Sequence, residues 1–165
     1  MTRWTSSAPP EPRADDHSRG GGLVVIEYAD LECPHCAHAH LLLKQLRVTR
    51  VFRHFPVTSK HPRARVLAQA AEAAGLQGRF WDMHDSLLED QGHLDPPHLW
   101  ARARELGLDL DRFEADRRSD GVAEVVDEHF RSGIRAGVVT TPTQFFEGRA
   151  YAGVPDPALM LRLRG

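Results

Sequence analysis

The sequence reads as an α/β fold whose strands are interrupted by a block of helices. Three observations predict this. The apolar run "LVVIEYA" leads through a helical stretch into the alternating segment "VTRVFRHF". Four helical segments then follow one another without a strand between them. The chain closes with "PTQFFEGRAYAG" and "PDPALMLRLR", two short strands and a helix.

Each element has a local reason. "LVVIEYA", bounded by Gly21-Gly22 and Asp30, is rich in β-branched residues and suits a buried central strand. Pro34 fits the first position of a helix, where its missing N–H would be unpaired anyway. That helix is expected to reach about Leu46, and Pro56 ends the strand after it. Pro62 opens the alanine-rich "PRARVLAQAAEAAG", which Gly75 closes. "GRFWDMHDSLLEDQG" and "PPHLWARARELG" read as two more helices. Val122, Val125, Val126, Phe130 and Ile134 mark one face of a fourth, up to about Ala136. Glu147-Gly148 is expected to turn a hairpin.

At 165 residues the chain is one domain, or one with an insertion. A formal net charge of -2 points to neither nucleic acid nor anionic lipid. The longest apolar runs fall far short of the roughly 18 residues that span a bilayer. Residues 1–22 are rich in Pro, Ser and Gly and read as a disordered leader without the apolar core of a secretory signal. The expectation is therefore a cytoplasmic protein that needs no membrane.

Two cysteines are too few to staple a secreted scaffold. Both lie in "ECPHCAHAH", at the junction of the first strand and first helix. A thiol at a helix N-terminus meets the positive end of the macrodipole and unpaired N–H groups, which lower its pKa. Cys33 is expected to be the more exposed nucleophile. Cys36, one turn in, is expected to be the buried resolving thiol. Zinc is the rival reading, with His38 and His40 as further ligands. Those two histidines sit two apart on one helix and face different sides, so a tetrahedral set is not expected.

The stretches "VVIEYADLECPHC", "FRHFPV", "GRFWDMHDSLLEDQ" and "GVVTTPTQFFEG" together resemble the DsbA-like branch of the thioredoxin superfamily, disulfide oxidoreductases with a helical insertion. The resemblance implies a thioredoxin fold from residues 23–56 and 137–165, with an inserted helical domain at 57–136. The sequence departs from the family in two ways. Only sixteen residues, Ala37 to Phe52, separate Cys36 from "RHFP", and the strand that usually precedes "VVIEY" has no clear counterpart.

The family likeness also carries roles onto individual positions. Cys33 and Cys36 would exchange disulfides through a mixed-disulfide intermediate. His35, between them, would stabilise the Cys33 thiolate. Glu27, six residues before Cys33, would be a buried carboxyl that relays the Cys36 proton. Its bland alternative is a strand residue facing water or paired with Arg53 or His54. Thr141-Pro142 would form a cis bond packed against the cysteines. With Pro34, these two residues would contact a substrate strand. His129 and His84 read as structural. The expected partners are protein or peptide thiols and disulfides, plus a redox partner protein or small thiol. Neither a cofactor nor a metal is expected. The alternative is a non-catalytic peptide-binding or metal-binding module.

Overall fold

The computed structural model describes residues 8–165. Its strands are β1 (His17–Gly20), β2 (Val24–Ala29), β3 (Thr49–His54), β4 (Thr143–Phe146) and β5 (Arg149–Ala152). Its helices are α1 (Pro34–Leu43), α2 (Ala64–Gly75), α3 (Phe80–Leu88), α4 (Pro96–Glu105), α5 (Leu110–Arg117), α6 (Asp120–Arg135) and α7 (Pro157–Arg162). The strands form one sheet in the order β1-β3-β2-β4-β5. β2 and β3 run parallel, and the other neighbours are antiparallel.

The central strands are buried on both faces. Val25 packs with Leu43 of α1 and with Leu159 and Leu163 at the C-terminal helix. Ile26 and Tyr28 pack on the other face with Val51, Phe55 and Phe145. Helices α2 to α6 intervene between β3 and β4. Helices α2 to α5 share one apolar core with Ala29, Leu31, both cysteines and Phe52, whereas Phe130 of α6 packs with Tyr28 and Phe55. The loop after β2 is thus clamped between sheet and helices. At Gly133 the chains approach so closely that a Cβ would lie 2.6 Å from the Phe55 ring.

Four expectations need correcting. The stretch read as a leader contains β1, which pairs antiparallel with β3; residues 1–7 of it lie outside the described residues. Its polar sequence, HSRG, gives no strand pattern, because distant partners hold it. His17 donates to Glu72 at 2.7 Å and stacks on Phe80, while Arg19 forms a two-pronged bond to Asp85. Helix α5 was not foreseen, since Phe113 is its one buried residue and its start depends on Asp109 accepting from the Arg112 N–H. Helix α6 buries Val122, Val126, His129 and Gly133, whereas Ile134 is 55% exposed. The apolar stripe in the sequence is rotated from the buried face because a polar histidine and a glycine occupy the contact. Helix α1 also stops at Leu43 rather than near Leu46. Among the described residues no helix is long and apolar enough to cross a membrane.

Candidate active site

Cys33 caps the N-terminus of α1 in an extended conformation, and Pro34 takes the first helical position. The loop before it is organised by Asp30. The buried Asp30 carboxylate accepts from the Glu32 N–H at 2.9 Å and from the Val57 N–H at 2.9 Å, and it faces His61 Nδ1 at 2.9 Å. The Asp30 C=O accepts from the Cys33 N–H at 3.1 Å, and the Asp30 N–H donates to Cys36 Sγ at 3.4 Å.

Both thiols are unpaired, with Cys33 3% and Cys36 1% exposed. Cys33 is thus the more exposed of the two, as expected, though only by a small margin. Its sulfur is reached from a groove rather than from open solvent, because the loop before β4 covers it. Cys33 Sγ lies 3.7 Å from the Thr141 C=O. The two thiols are driven apart electrostatically. Hydrogen bonding from the Cys36 thiol lowers the Cys33 pKa to about 5 against the opposing effect of burial. The Cys36 N–H, Thr141 and the His35 N–H add to the lowering. Burial pushes Cys36 well above the ordinary thiol range; the adjoining Cys33 and the Glu27 charge reinforce it, while the Asp30 N–H opposes it. This is the behaviour of one thiolate stabilised by donors and a second thiol held protonated.

Beneath the cysteines Glu27 is buried, and its partner is Arg50, at 3.2 Å. The foreseen alternatives are occupied elsewhere: Arg53 pairs with Asp16 at 2.8 Å and His54 with Glu72 at 2.9 Å. Arg50 also donates to His40 Nδ1 at 3.1 Å. Arginine has only donors, so His40 must accept at Nδ1 and carry its proton on Nε2, which lies 2.9 Å from Glu89. Lys44 bonds the same Glu89 oxygen. A buried polar chain thus runs from Glu27 to the surface. The sequence named Glu27 but missed Arg50, His40 and Asp30. One signal was available: Arg50 interrupts a β-branched strand just as Glu27 does, and an acid in one buried strand needs a base nearby.

The Thr141–Pro142 bond is cis. Thr141 is buried, and with Thr140 and Val139 it forms one wall of a groove of about 260 Å³ that opens on Cys33. Pro34 and His35 are exposed and line the same groove, as do Val57, Lys60 and His61. His38 is exposed and His40 is committed to Arg50 and Glu89, so neither joins the thiols. Among the described residues, two groups of side chains lie close enough together to share a metal ion: His40, His84 and Asp85, and His54, Glu72 and His129. Neither contains a cysteine. In the second, His129 Nδ1 already accepts the His54 N–H at 3.1 Å.

A family model described as Thioredoxin matches residues 22–163. The chain belongs to the thioredoxin family. Among solved members of this fold, a thioredoxin-like oxidoreductase from Silicibacter pomeroyi superposes with a TM-score of 0.81 at 23% identity, covering 92% of this chain and 91% of that one. The thiol-disulfide exchange protein alpha-DsbA2 from Wolbachia pipientis gives 0.80 at 18% identity, covering 90% and 85%. Oxidised BdbD from Bacillus subtilis gives 0.80 at 18%, covering 95% of each chain. The chain thus has the DsbA-like form of the thioredoxin fold. Higher identity is found with parts of larger proteins. The chain is 45% identical over 150 residues to the Na(+)/H(+) antiporter NhaA 1 of Salinispora arenicola, covering 84% of this chain and 22% of that protein. It is 40% identical over 157 residues to NhaA of Herminiimonas arsenicoxydans, covering 90% and 25%. The chain therefore spans about a quarter of the length of these curated relatives.

Proposed function

We propose that the chain is a thiol-disulfide oxidoreductase that exchanges disulfides with polypeptides through Cys33 and Cys36. One observation carries this reading: two thiols at one helix start, the first stabilised as a thiolate and open to a groove, the second buried and held protonated. The Cys33 thiolate attacks one sulfur of a substrate disulfide, forming a mixed disulfide and releasing the other sulfur as a thiolate. Cys36 then loses its proton and attacks Cys33. This releases the reduced substrate and leaves a Cys33–Cys36 disulfide, with two electrons passed to the substrate. The reverse sequence oxidises a substrate dithiol. Glu27, kept beside Arg50, takes the Cys36 proton. The His35 N–H helps hold the Cys33 charge, and Pro34, Thr141 and Pro142 bound the surface on which the substrate segment lies.

A low thiol pKa stabilises the reduced form and so favours an oxidant. In a reducing cytosol the same pair rests as a dithiol and works as a reductant. Equilibration with glutathione buffers, read by alkylation and mass shift, gives the potential. A value near -120 mV marks an oxidant and one near -270 mV a reductant. If the protein binds peptides but neither reduces insulin nor forms a Cys33–Cys36 disulfide, it is a binding module and the exchange reading fails.

The 45% identity with part of an antiporter favours a second level of function. The module works beside an ion antiporter, with cysteines of that transporter or its neighbours as its substrates. A Cys36→Ser trap expressed with such an antiporter should capture it as a reducible adduct. Capture that survives loss of Cys33 would count against this.

A further inference from the structure

We propose that the groove beside Cys33 selects acidic polypeptide segments, with Lys60 as the charge that specifies them. The proposal rests on the exchange reading and refines its substrate class. The chain has two lysines, Lys44 and Lys60. Lys44 is bonded to Glu89. Lys60 is exposed, lines the groove, and pairs with no carboxylate among the described residues. No Asp or Glu lines this groove. Two acids lie close by: Asp30 is buried and already faces His61 and two backbone N–H groups, and Glu32 accepts from the Arg63 N–H at 2.6 Å. With a formal net charge of -2 for the whole chain, the positive wall is a local arrangement and not an overall property.

Val139 supplies the second half of the recognition. It is 88% exposed at the groove, a bare apolar side chain beside the buried Thr141. Beyond Lys60 the same segment continues through Pro62 and Arg63 to an apolar recess of about 140 Å³ formed with Val66, Leu94 and Trp100. The occupant that fits is an extended polypeptide whose cysteine meets Cys33. It carries Asp or Glu toward Lys60 and an apolar residue toward Val139. The cation has a further consequence. An acidic segment is repelled by the Cys33 thiolate, and Lys60 offsets that repulsion at the point of attack. An exposed pair of this kind changes a rate or affinity by roughly two- to fivefold.

The test uses Cys36→Ser protein and three synthetic peptides, each with one cysteine carried as a mixed disulfide with thionitrobenzoate. The cysteine is flanked by Glu, Gln or Lys. Cys33 attacks the peptide sulfur: one S–S bond breaks, another forms, and thionitrobenzoate leaves as its coloured thiolate. The Glu peptide should react about two- to fivefold faster than the Gln peptide, and the Lys peptide more slowly. The order should flatten in 1 M salt, where charges are screened within about 3 Å. With Lys60→Glu added, the order should invert, and with Lys60→Gln it should flatten. Equal rates for the three peptides, or an order unmoved by Lys60→Glu, would overturn the proposal while leaving exchange intact. If no peptide is exchanged, the exchange reading itself fails. The charge preference is then decided by fluorescence anisotropy with labelled peptides whose cysteine is replaced by serine: the same order upholds it, and no order overturns it.

Discussion

The cap of α1 and its first turn hold the same side chain in nearly the same degree of burial, yet treat it oppositely. Cys33 meets the Cys36 thiol, two N–H groups and Thr141, and its pKa falls to about 5. Cys36 meets apolar side chains, Cys33 and the Glu27 charge, with the Asp30 N–H as its one opposing donor, and its pKa rises. Burial alone would raise both. The difference shows that donors at the helix start outweigh burial at Cys33, whereas at Cys36 burial dominates because only the Asp30 N–H opposes it. It also separates two surroundings. The Cys33 side opens to a groove, and the Cys36 side rests on the buried chain Glu27–Arg50–His40–Glu89.

The largest expected effect breaks the pair itself. Cys33→Ser should reduce disulfide exchange to below ~1% of wild type, since a hydroxyl does not replace the thiolate. Cys36→Ser should instead accumulate mixed disulfides through Cys33, visible on non-reducing gels. Equal trapping by both variants would remove the assigned division of labour.

Titration measures the same contrast without mutation. The rate of Cys33 alkylation by iodoacetamide should be level from about pH 6 to 8 and fall about tenfold per unit below the Cys33 pKa of about 5. Cys36 should stay unlabelled in that range. The folded pKa lies below the unfolded value of 9.0, so between 5 and 9 the unfolded chain binds more protons. Reduced wild type should therefore gain stability relative to Cys33→Ser as pH rises through this window, and lose that gain as pH falls through 5. Parallel denaturant midpoints at all pH values would contradict the donor argument.

The Cys36 side is sharpened by its acid and base. Glu27→Gln should slow resolution of the mixed disulfide by about 10²-fold, the lower end for a lost general base, and leave Cys33 alkylation nearly unchanged. Arg50→Met leaves Glu27 buried without its cation and should cost about 3 kcal/mol in urea unfolding. Adding Glu27→Gln to that variant should restore part of the loss. Additive losses would mean that the two side chains do not act as a pair.

The smallest effect distinguishes a side chain from a backbone group. At position 35 the N–H contributes to the Cys33 thiolate, and the ring stands exposed. His35→Ser should shift the redox potential by less than about 30 mV, equivalent to roughly 1.4 kcal/mol. His35→Pro removes the N–H and should raise the Cys33 pKa further than the serine variant does. Equal shifts would return the role to the imidazole.

Several features were legible in the amino-acid order alone: β2, α1, β3, the hairpin at Glu147-Gly148, and the cysteines at a helix start. Each depends on interactions within a few residues, such as alternation of β-branched side chains, a proline at a first helical position and a turn that accepts positive φ. What only the tertiary structure decided depends on partners far along the chain. β1 is a strand because Glu72 and Asp85, 55 and 66 residues away from His17 and Arg19, hold its side chains. Glu27 pairs with Arg50 and not with Arg53 or His54. Alternation puts Arg53 on the opposite face of β3, and Glu72 on α2 takes His54. Cys33 is buried because the loop before β4, 108 residues later, folds over it. A motif records local geometry. It does not record which distant residue arrives to donate, to pair or to cover, and those arrivals set what surrounds the two thiols.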